Sequence, residues 1–138
     1  MSAANEPDPR PLGHRPNGVP FTVVVADDEF SHRRIMVQIL KSAGFQVVAE
    51  ASNGEEAIYD ADFYTPDLMF LDYHMPRLDG LQALRKLHAS HPALRVVMFT
   101  TETAKERVAE ILQAGAADYI VKPLDRAKVL DKLERLVR

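Results

Sequence analysis

The sequence contains no cysteine, which excludes disulfides, thiolate metal sites and cysteine nucleophiles together. It has no apolar run near the length needed to cross a bilayer, and its first residues lack the apolar core of a signal peptide. The expected location is therefore cytoplasmic. Nor is there a large charge of one sign. Seventeen Lys and Arg stand against 20 Asp and Glu, for a net −3 and a pI near 5.9. Nothing in that balance draws the whole molecule to nucleic acid or an anionic membrane. What is present is one domain's worth of chain, 138 residues with 46% apolar and 27% charged side chains, enough for a hydrophobic core.

Proline is distributed unevenly. Five of the nine (Pro7, Pro9, Pro11, Pro16, Pro20) fall within residues 1–20, together with Gly13 and Gly18 and few apolar side chains. Such a segment buries too little surface to offset its ordering entropy, so residues 1–20 are expected to form an extended or disordered arm. The alternative is an arm that lies along the domain or touches a partner. The folded domain is expected over residues 21–138.

From Phe21 onward apolar patterning alternates between strand and helix. Thr22 to Ala26 reads as a buried strand that stops at Asp27-Asp28-Glu29. Over Ser31 to Ala43, the spacing of Ile35, Met36, Ile39, Leu40 and Ala43 predicts a helix, with Gly44 placed to end it. A short strand follows at Phe45 to Ala49. Ser52-Asn-Gly-Glu55 matches a capping box for a second helix carrying Ala57, Ile58 and Ala61, which must end before Pro66. Leu68 to Leu71 is a continuous apolar run stopping at Asp72, the mark of a strand buried on both faces. Leu81, Leu84 and Leu87 mark a third helix, and Arg95 to Phe99 a fourth strand ending at Thr100-Thr101. A fourth helix is expected over Thr103 to Ala114, with Val108, Ile111 and Leu112 inward and Gly115 closing it. Asp118 to Val121 forms a fifth strand ending at Lys122-Pro123. Asp125 caps a last helix bearing Val129, Leu130, Leu133 and Leu136.

Strict βα alternation, five times, implies an α/β fold: a doubly wound parallel sheet with helices on both faces. Ligands in such folds bind at the carboxyl ends of the strands. Those ends carry Asp27-Asp28, Asp72, Thr100-Thr101 and Lys122, while the second strand offers less and is expected at an edge. Carboxylates gathered on one rim repel unless a cation sits among them. An all-oxygen site with room for water and phosphate suits Mg²⁺ rather than zinc. Lys122 adds a positive charge, Thr100 a hydroxyl and Thr101 a backbone amide. These are the parts phosphoryl transfer requires, with Asp72 the natural nucleophile.

The motifs Asp27-Asp28, Asp72-Tyr-His-Met-Pro-Arg-Leu-Asp-Gly80, Val97-Met-Phe-Thr-Thr-Glu102 and Gln113-Ala-Gly-Ala-Ala-Asp-Tyr-Ile-Val-Lys-Pro123 together resemble those of response-regulator receiver domains. Within that family the likeness is to the stand-alone, CheY-like chemotaxis proteins. The resemblance implies the five-stranded flavodoxin/CheY-like sheet in strand order 2-1-3-4-5. It implies phosphorylation of Asp72 by a CheA-like sensor histidine kinase, and Mg²⁺, with Mn²⁺ able to substitute, held by Asp27, Asp28, Asp72 and the backbone carbonyl of His74. It implies phosphoryl contacts from Thr100, Thr101 and Lys122, a cis bond before Pro123, and a switch formed by Thr100 and Tyr119. The readout would fall on the fourth-helix, fifth-strand and fifth-helix face, to which a flagellar motor switch component binds, with a phosphatase as a further partner. His74 stands where relatives often carry Asn; it is expected, with Glu102, to tune the lifetime of the phosphoryl group. The remaining histidines, His14, His32, His88 and His91, show no ligand spacing and are expected to be solvated.

The chain is expected to be no enzyme beyond Mg²⁺-dependent self-phosphorylation and autodephosphorylation. A monomer is expected, and Glu106, Arg107, Asp118 and Arg135 leave open a dimer through the readout face. The chain reaches its fifth helix and no further, which favours a stand-alone receiver over the receiver module of a transcription regulator or a phosphorelay intermediate. A dehalogenase-type, Mg²⁺-dependent aspartyl-phosphate phosphatase would carry a second Asp two residues after its nucleophile; His74 stands there instead. A flavodoxin-like electron carrier would need a hydroxyl- and Gly-rich loop where Asp27-Asp28-Glu29 lies.

Overall fold

The computed structural model describes residues 8–101 and 103–138. Glu102 and the first seven residues of the arm lie outside the described residues. Ten elements alternate: β1 (Thr22–Ala26), α1 (Phe30–Ser42), β2 (Gln46–Ala51), α2 (Gly54–Tyr64), β3 (Leu68–Asp72), α3 (Gly80–Ser90), β4 (Arg95–Thr100), α4 (Lys105–Gln113), β5 (Asp118–Val121) and α5 (Arg126–Val137). All strand pairs are parallel, in the order β2-β1-β3-β4-β5. β2 lies at an edge, as expected.

Side chains alternate across the sheet, so each central strand feeds two cores. In β3, Leu68 and Phe70 pack with Met36, Leu40, Val129 and Leu133 of α1 and α5. Met69 and Leu71 pack on the other face, with Ala57, Ala61, Leu84, Leu87 and Ile111 of α2, α3 and α4. All five residues of β3 are buried. This is why its sequence reads as an unbroken apolar run rather than as an alternation.

Several boundaries differ from those expected. β2 runs on to Ala51 because it pairs with β1 as far as Ala26. α4 is shorter than expected, and Leu112 is 44% exposed whereas Ile111 is fully buried. Ile35, expected on the inward face of α1, is 46% exposed, and Val37 is buried with Met36. The capping box is displaced by one residue. Asn53 caps α2 by accepting from the Glu56 N–H at 2.9 Å, and the Glu56 carboxylate accepts from the Ser52 N–H and hydroxyl. Glu56, not Glu55, is the residue that reaches back.

The arm also differs from an extended or disordered segment over its described part. Its backbone is tied to the domain: the Gly13 N–H donates to the Ala43 carbonyl, and the Phe21 N–H to the Gly13 carbonyl. Arg15 pairs with Asp67 at 2.5 Å and lies over the Phe21 ring, while Leu12 packs against the α1/α5 core. Asp8 pairs with Arg138 at the end of α5. Two backbone bonds, one apolar anchor and two ion pairs supply what the composition lacks. These contacts lie at the amino ends of the strands, opposite the acidic rim.

Candidate functional site

β1, β3 and β5 deliver Asp27, Asp72 and Lys122 to one point. Asp27 is fully buried and Asp72 is 4% exposed. The Lys122 ammonium lies 3.4 Å from Asp27 Oδ2 and 3.2 Å from Asp72 Oδ1, with its side chain 12% exposed. It also sits over the Phe99 ring at 5.0 Å. Buried carboxylates of this kind are costly unless paired, and one ammonium serves both. Burial, followed by the Asp27 charge, pushes the Asp72 carboxyl up to about 6 against the pull of Lys122.

The backbone at each position is fixed independently. The Asp27 N–H donates to the Ala51 carbonyl, and its Oδ1 accepts from the Glu29 N–H at 2.9 Å. The Tyr73 N–H donates to the Phe99 carbonyl, which ties the residue after Asp72 to β4. The Lys122 N–H donates to the Thr100 carbonyl at 2.8 Å, and the Lys122–Pro123 bond is cis. Gly80 lets the loop after β3 fold back: a Cβ there would meet the Asp72 carbonyl oxygen at 2.2 Å, and the Gly80 N–H donates to Tyr73.

A carboxylate oxygen from each of Asp27, Asp28 and Asp72 lies within 4.8 Å of the others. Asp28 is exposed and lines an open depression of about 310 Å³ with His74, Met75, Pro76 and Asp79. Three hard oxygen donors, one facing solvent and none of them sulfur or imidazole, suit a divalent cation that keeps part of its water. A larger cavity of about 480 Å³, lined by Asp67, His91 and Arg95 among others, lies at the opposite end of the sheet and has none of these groups.

Thr100 is fully buried at the end of β4, one residue beyond Phe99, the register partner of Asp72. Thr101 is exposed. Tyr119 pairs with Met98 across β4 and β5 and is partly buried against the core on that side. The Lys132 ammonium lies 5.2 Å from its ring and 3.0 Å from Asp118. The His74 side chain is exposed, edge-on to Tyr73 at 4.8 Å. Of the charges expected to serve a dimer, Arg107 pairs with Glu110, Asp118 with Lys132 and Arg135 with Asp131, all within the chain.

Sequence reasoning missed two residues beside the site. Arg33 donates to the Asp27 carbonyl at 2.7 Å while pairing with Glu50, bracing β1 against β2. His32, expected to be solvated, lies 3.5 Å from the Lys122 ammonium and 3.2 Å from Glu29. Both sit on the first turns of α1, where a charged side chain is ordinarily solvent-facing, so the sequence carried no distinguishing signal. His91 also has a partner, pairing with Asp62 at 2.6 Å while its side chain stays 22% exposed.

The family model for the response regulator receiver domain matches residues 23–134. The chain belongs to this family. The "Chemotaxis protein CheY" of Listeria monocytogenes is 37% identical over 116 residues, 84% of this chain and 98% of that protein. The "Transcriptional regulatory protein PdtaR" of Mycobacterium tuberculosis is 34% identical over 86% of this chain but only 58% of its own length. Among solved structures, CheY in the "CheX-CheY-BeF3-Mg+2 complex from Borrelia burgdorferi" superposes with a TM-score of 0.87 at 35% identity, covering 92% of this receiver and 97% of that chain.

Proposed function

We propose that this receiver is a phosphoacceptor switch of a two-component system, most similar in role to CheY-like regulators of chemotaxis and motility. The observation that carries the reading is the Lys122 ammonium shared by Asp27 and Asp72, two buried carboxylates from different strands. An Asp72 oxygen attacks the phosphorus of a phosphohistidine on a CheA-like sensor kinase. The P–O bond forms as the P–N bond breaks, and the imidazole leaves with the electron pair and takes a proton. Asp27, Asp28, Asp72 and the His74 carbonyl are the residues that would hold Mg²⁺, or Mn²⁺ in its place; when bound, the ion offsets the charge of the phosphoryl oxygens. Lys122, the Thr100 hydroxyl and the Thr101 amide receive those oxygens.

The message then passes from Thr100 to Tyr119, which follows on the neighbouring strand, and is read on the α4-β5-α5 face. A motor switch component is the proposed target there, and a phosphatase the proposed off-signal, in keeping with the CheX complex of the Borrelia CheY. The protein works in the cytoplasm and has no activity on other substrates. The described residues include no helix long and apolar enough to cross a membrane.

A second reading, a receiver module of a transcription regulator, is supported by the similarity to PdtaR, of which the chain spans little more than half. The first test uses the full chain with acetyl phosphate and Mg²⁺, followed by intact mass measurement. One phosphoryl group is expected on the wild type, and none on Asp72→Asn or when Mg²⁺ is chelated. Equal labelling of wild type and Asp72→Asn overturns the assignment. Phosphorylation-dependent binding to a motor switch protein, lost in Tyr119→Ala, separates the two readings.

A further inference from the structure

α2 places three aromatic side chains in solvent: Tyr59 is 64% exposed, Phe63 67% and Tyr64 41%. Ala57 and Ala61 bury the opposite face of the helix. Glu55, Tyr59, Asp62 and Phe63, at i, i+4, i+7 and i+8, share the outward face. The Tyr59 and Phe63 rings are nearly parallel, at 13° and 6.1 Å, and Tyr64 meets Phe63 edge-on at 4.8 Å. The rings thus form one ordered platform rather than scattered apolar residues.

The helix that carries the platform has charge of one sign only. The helix reads Gly-Glu-Glu-Ala-Ile-Tyr-Asp-Ala-Asp-Phe-Tyr, four acids and no base. Glu55 meets Arg77 only at 3.8 Å, with both side chains more than 60% exposed. Asp60 has no ion-pair partner among the described residues, and burial followed by the Glu56 charge holds its carboxyl up at about 6. Asp62 is already met by the His91 ring at 2.6 Å, so a cation brought to this face finds Glu55 and Asp60 as the acids without a close cationic partner. Elsewhere the chain covers its rings with its own guanidinium groups: Arg15 over Phe21, Arg33 over Phe30 and Arg107 over Tyr73, each at 5.3–5.4 Å. Among the described residues no cation lies over Tyr59, Phe63 or Tyr64.

We propose that the outward face of α2 is a docking surface for an arginine-bearing segment of a partner protein. A planar guanidinium stacks on an exposed ring and donates to the acids beside it, a combination an ammonium reproduces only in part. α2 packs on β1, β2 and α3, away from α4, β5 and α5. A partner held here leaves the proposed signalling face free and is held whether or not Asp72 carries a phosphoryl group. The surface thus tethers rather than reads the switch.

The probe is a short synthetic peptide with arginines one helical turn apart, compared with a lysine peptide of equal charge. Each is titrated into the isotope-labelled full chain at physiological salt, with amide shifts and affinity recorded. We expect shifts centred on α2, affinity for the arginine peptide at least about fivefold above that for the lysine peptide, and a loss of about tenfold in Tyr59→Ala/Phe63→Ala. Tyr59→Phe should retain binding, and Glu55→Lys/Asp62→Lys should abolish it, with circular dichroism verifying that every variant is folded. Equal affinity for the two peptides, shifts centred elsewhere, or indifference to the ring double variant overturns the proposal. So does self-association through α2, read as a wild-type dimer in sedimentation that the ring double variant returns to monomer, because the occupant is then a second copy.

Discussion

Lys122 is the residue on which the charge balance of the rim depends, and with it the proposed chemistry. Its ammonium is the counter-charge for two buried carboxylates, so Lys122→Met leaves both unpaired. The expected cost is about 3 kcal/mol at neutral pH, measured by urea unfolding without divalent ions. Added Mg²⁺ should recover more stability in this variant than in wild type, because the ion would take over part of the neutralisation; equal recovery counts against the carboxylates as the metal site. The role proposed for His74 falls at a different step. Its ring stands in the open beside Tyr73, on the wall of the depression that Asp28 shares. His74→Asn should change the autodephosphorylation rate by roughly threefold or more while leaving phosphorylation by acetyl phosphate intact, since the residue contributes only its carbonyl to the proposed metal site. Identical decay of the two phosphoproteins, followed by intact mass, removes a tuning role. The acids, Lys122 and Thr100 were legible in the sequence because each ends an apolar run. Arg33 and His32 were not, because nothing in a helical charge pattern tells which residue turns back over the end of a neighbouring strand.

At the scale of elements, strand identity was read more accurately than helix detail, for a physical reason. β3 is enclosed on both faces and leaves no choice of period, whereas α4 buries only Ile111 fully, so its neighbours Val108 and Leu112 are weakly constrained. The end of α2 shows a similar limit. Pro66 bars the helix from continuing, but no Gly is available, and Thr65 itself takes the left-handed conformation at φ 43°. That helix also carries a titration that can be tested. Asp60 has a carboxyl near 6 in the folded chain against an ordinary 3.8, raised by burial and then by Glu56. The folded state therefore binds its proton more tightly than the unfolded state does. Stability from this group is fully present below about pH 4, falls as pH rises towards 6, and is constant above that. Asp60→Asn should be more stable than wild type at pH 7 by about 1 kcal/mol, the full shift being reduced because the group is only partly buried and screened by solvent. The difference should vanish below about pH 4. Urea midpoints across this range measure it, and a constant offset at all pH values would assign the gain to helix packing instead.

For the whole molecule, the two ends of the sheet carry separate sets of groups. The carboxyl ends gather Asp27, Asp28, Asp72, Thr100 and Lys122, while the amino ends are closed by residues 8–20, which reach both Asp67 before β3 and Arg138 after α5. Composition alone could not place this segment. Its proline content excludes regular structure, but the contacts that order it come from residues distant in sequence, as with Gly13 and Ala43 or Arg15 and Asp67. Division of labour between the ends predicts a separable phenotype. Removal of residues 1–18 strips Leu12 from the α1/α5 core, frees the Ala43 carbonyl and leaves Asp67 to Thr22 alone. One partly buried Leu, two backbone hydrogen bonds and two half-exposed ion pairs sum to on the order of 2–3 kcal/mol. The truncated chain should melt several degrees lower. Its rate of phosphorylation by acetyl phosphate at 20 °C, well below the melting transition, should match that of the full chain, because among the described residues no contact of the arm reaches the rim. A lowered rate in a chain that is still folded by circular dichroism would show that the two ends are coupled through the sheet.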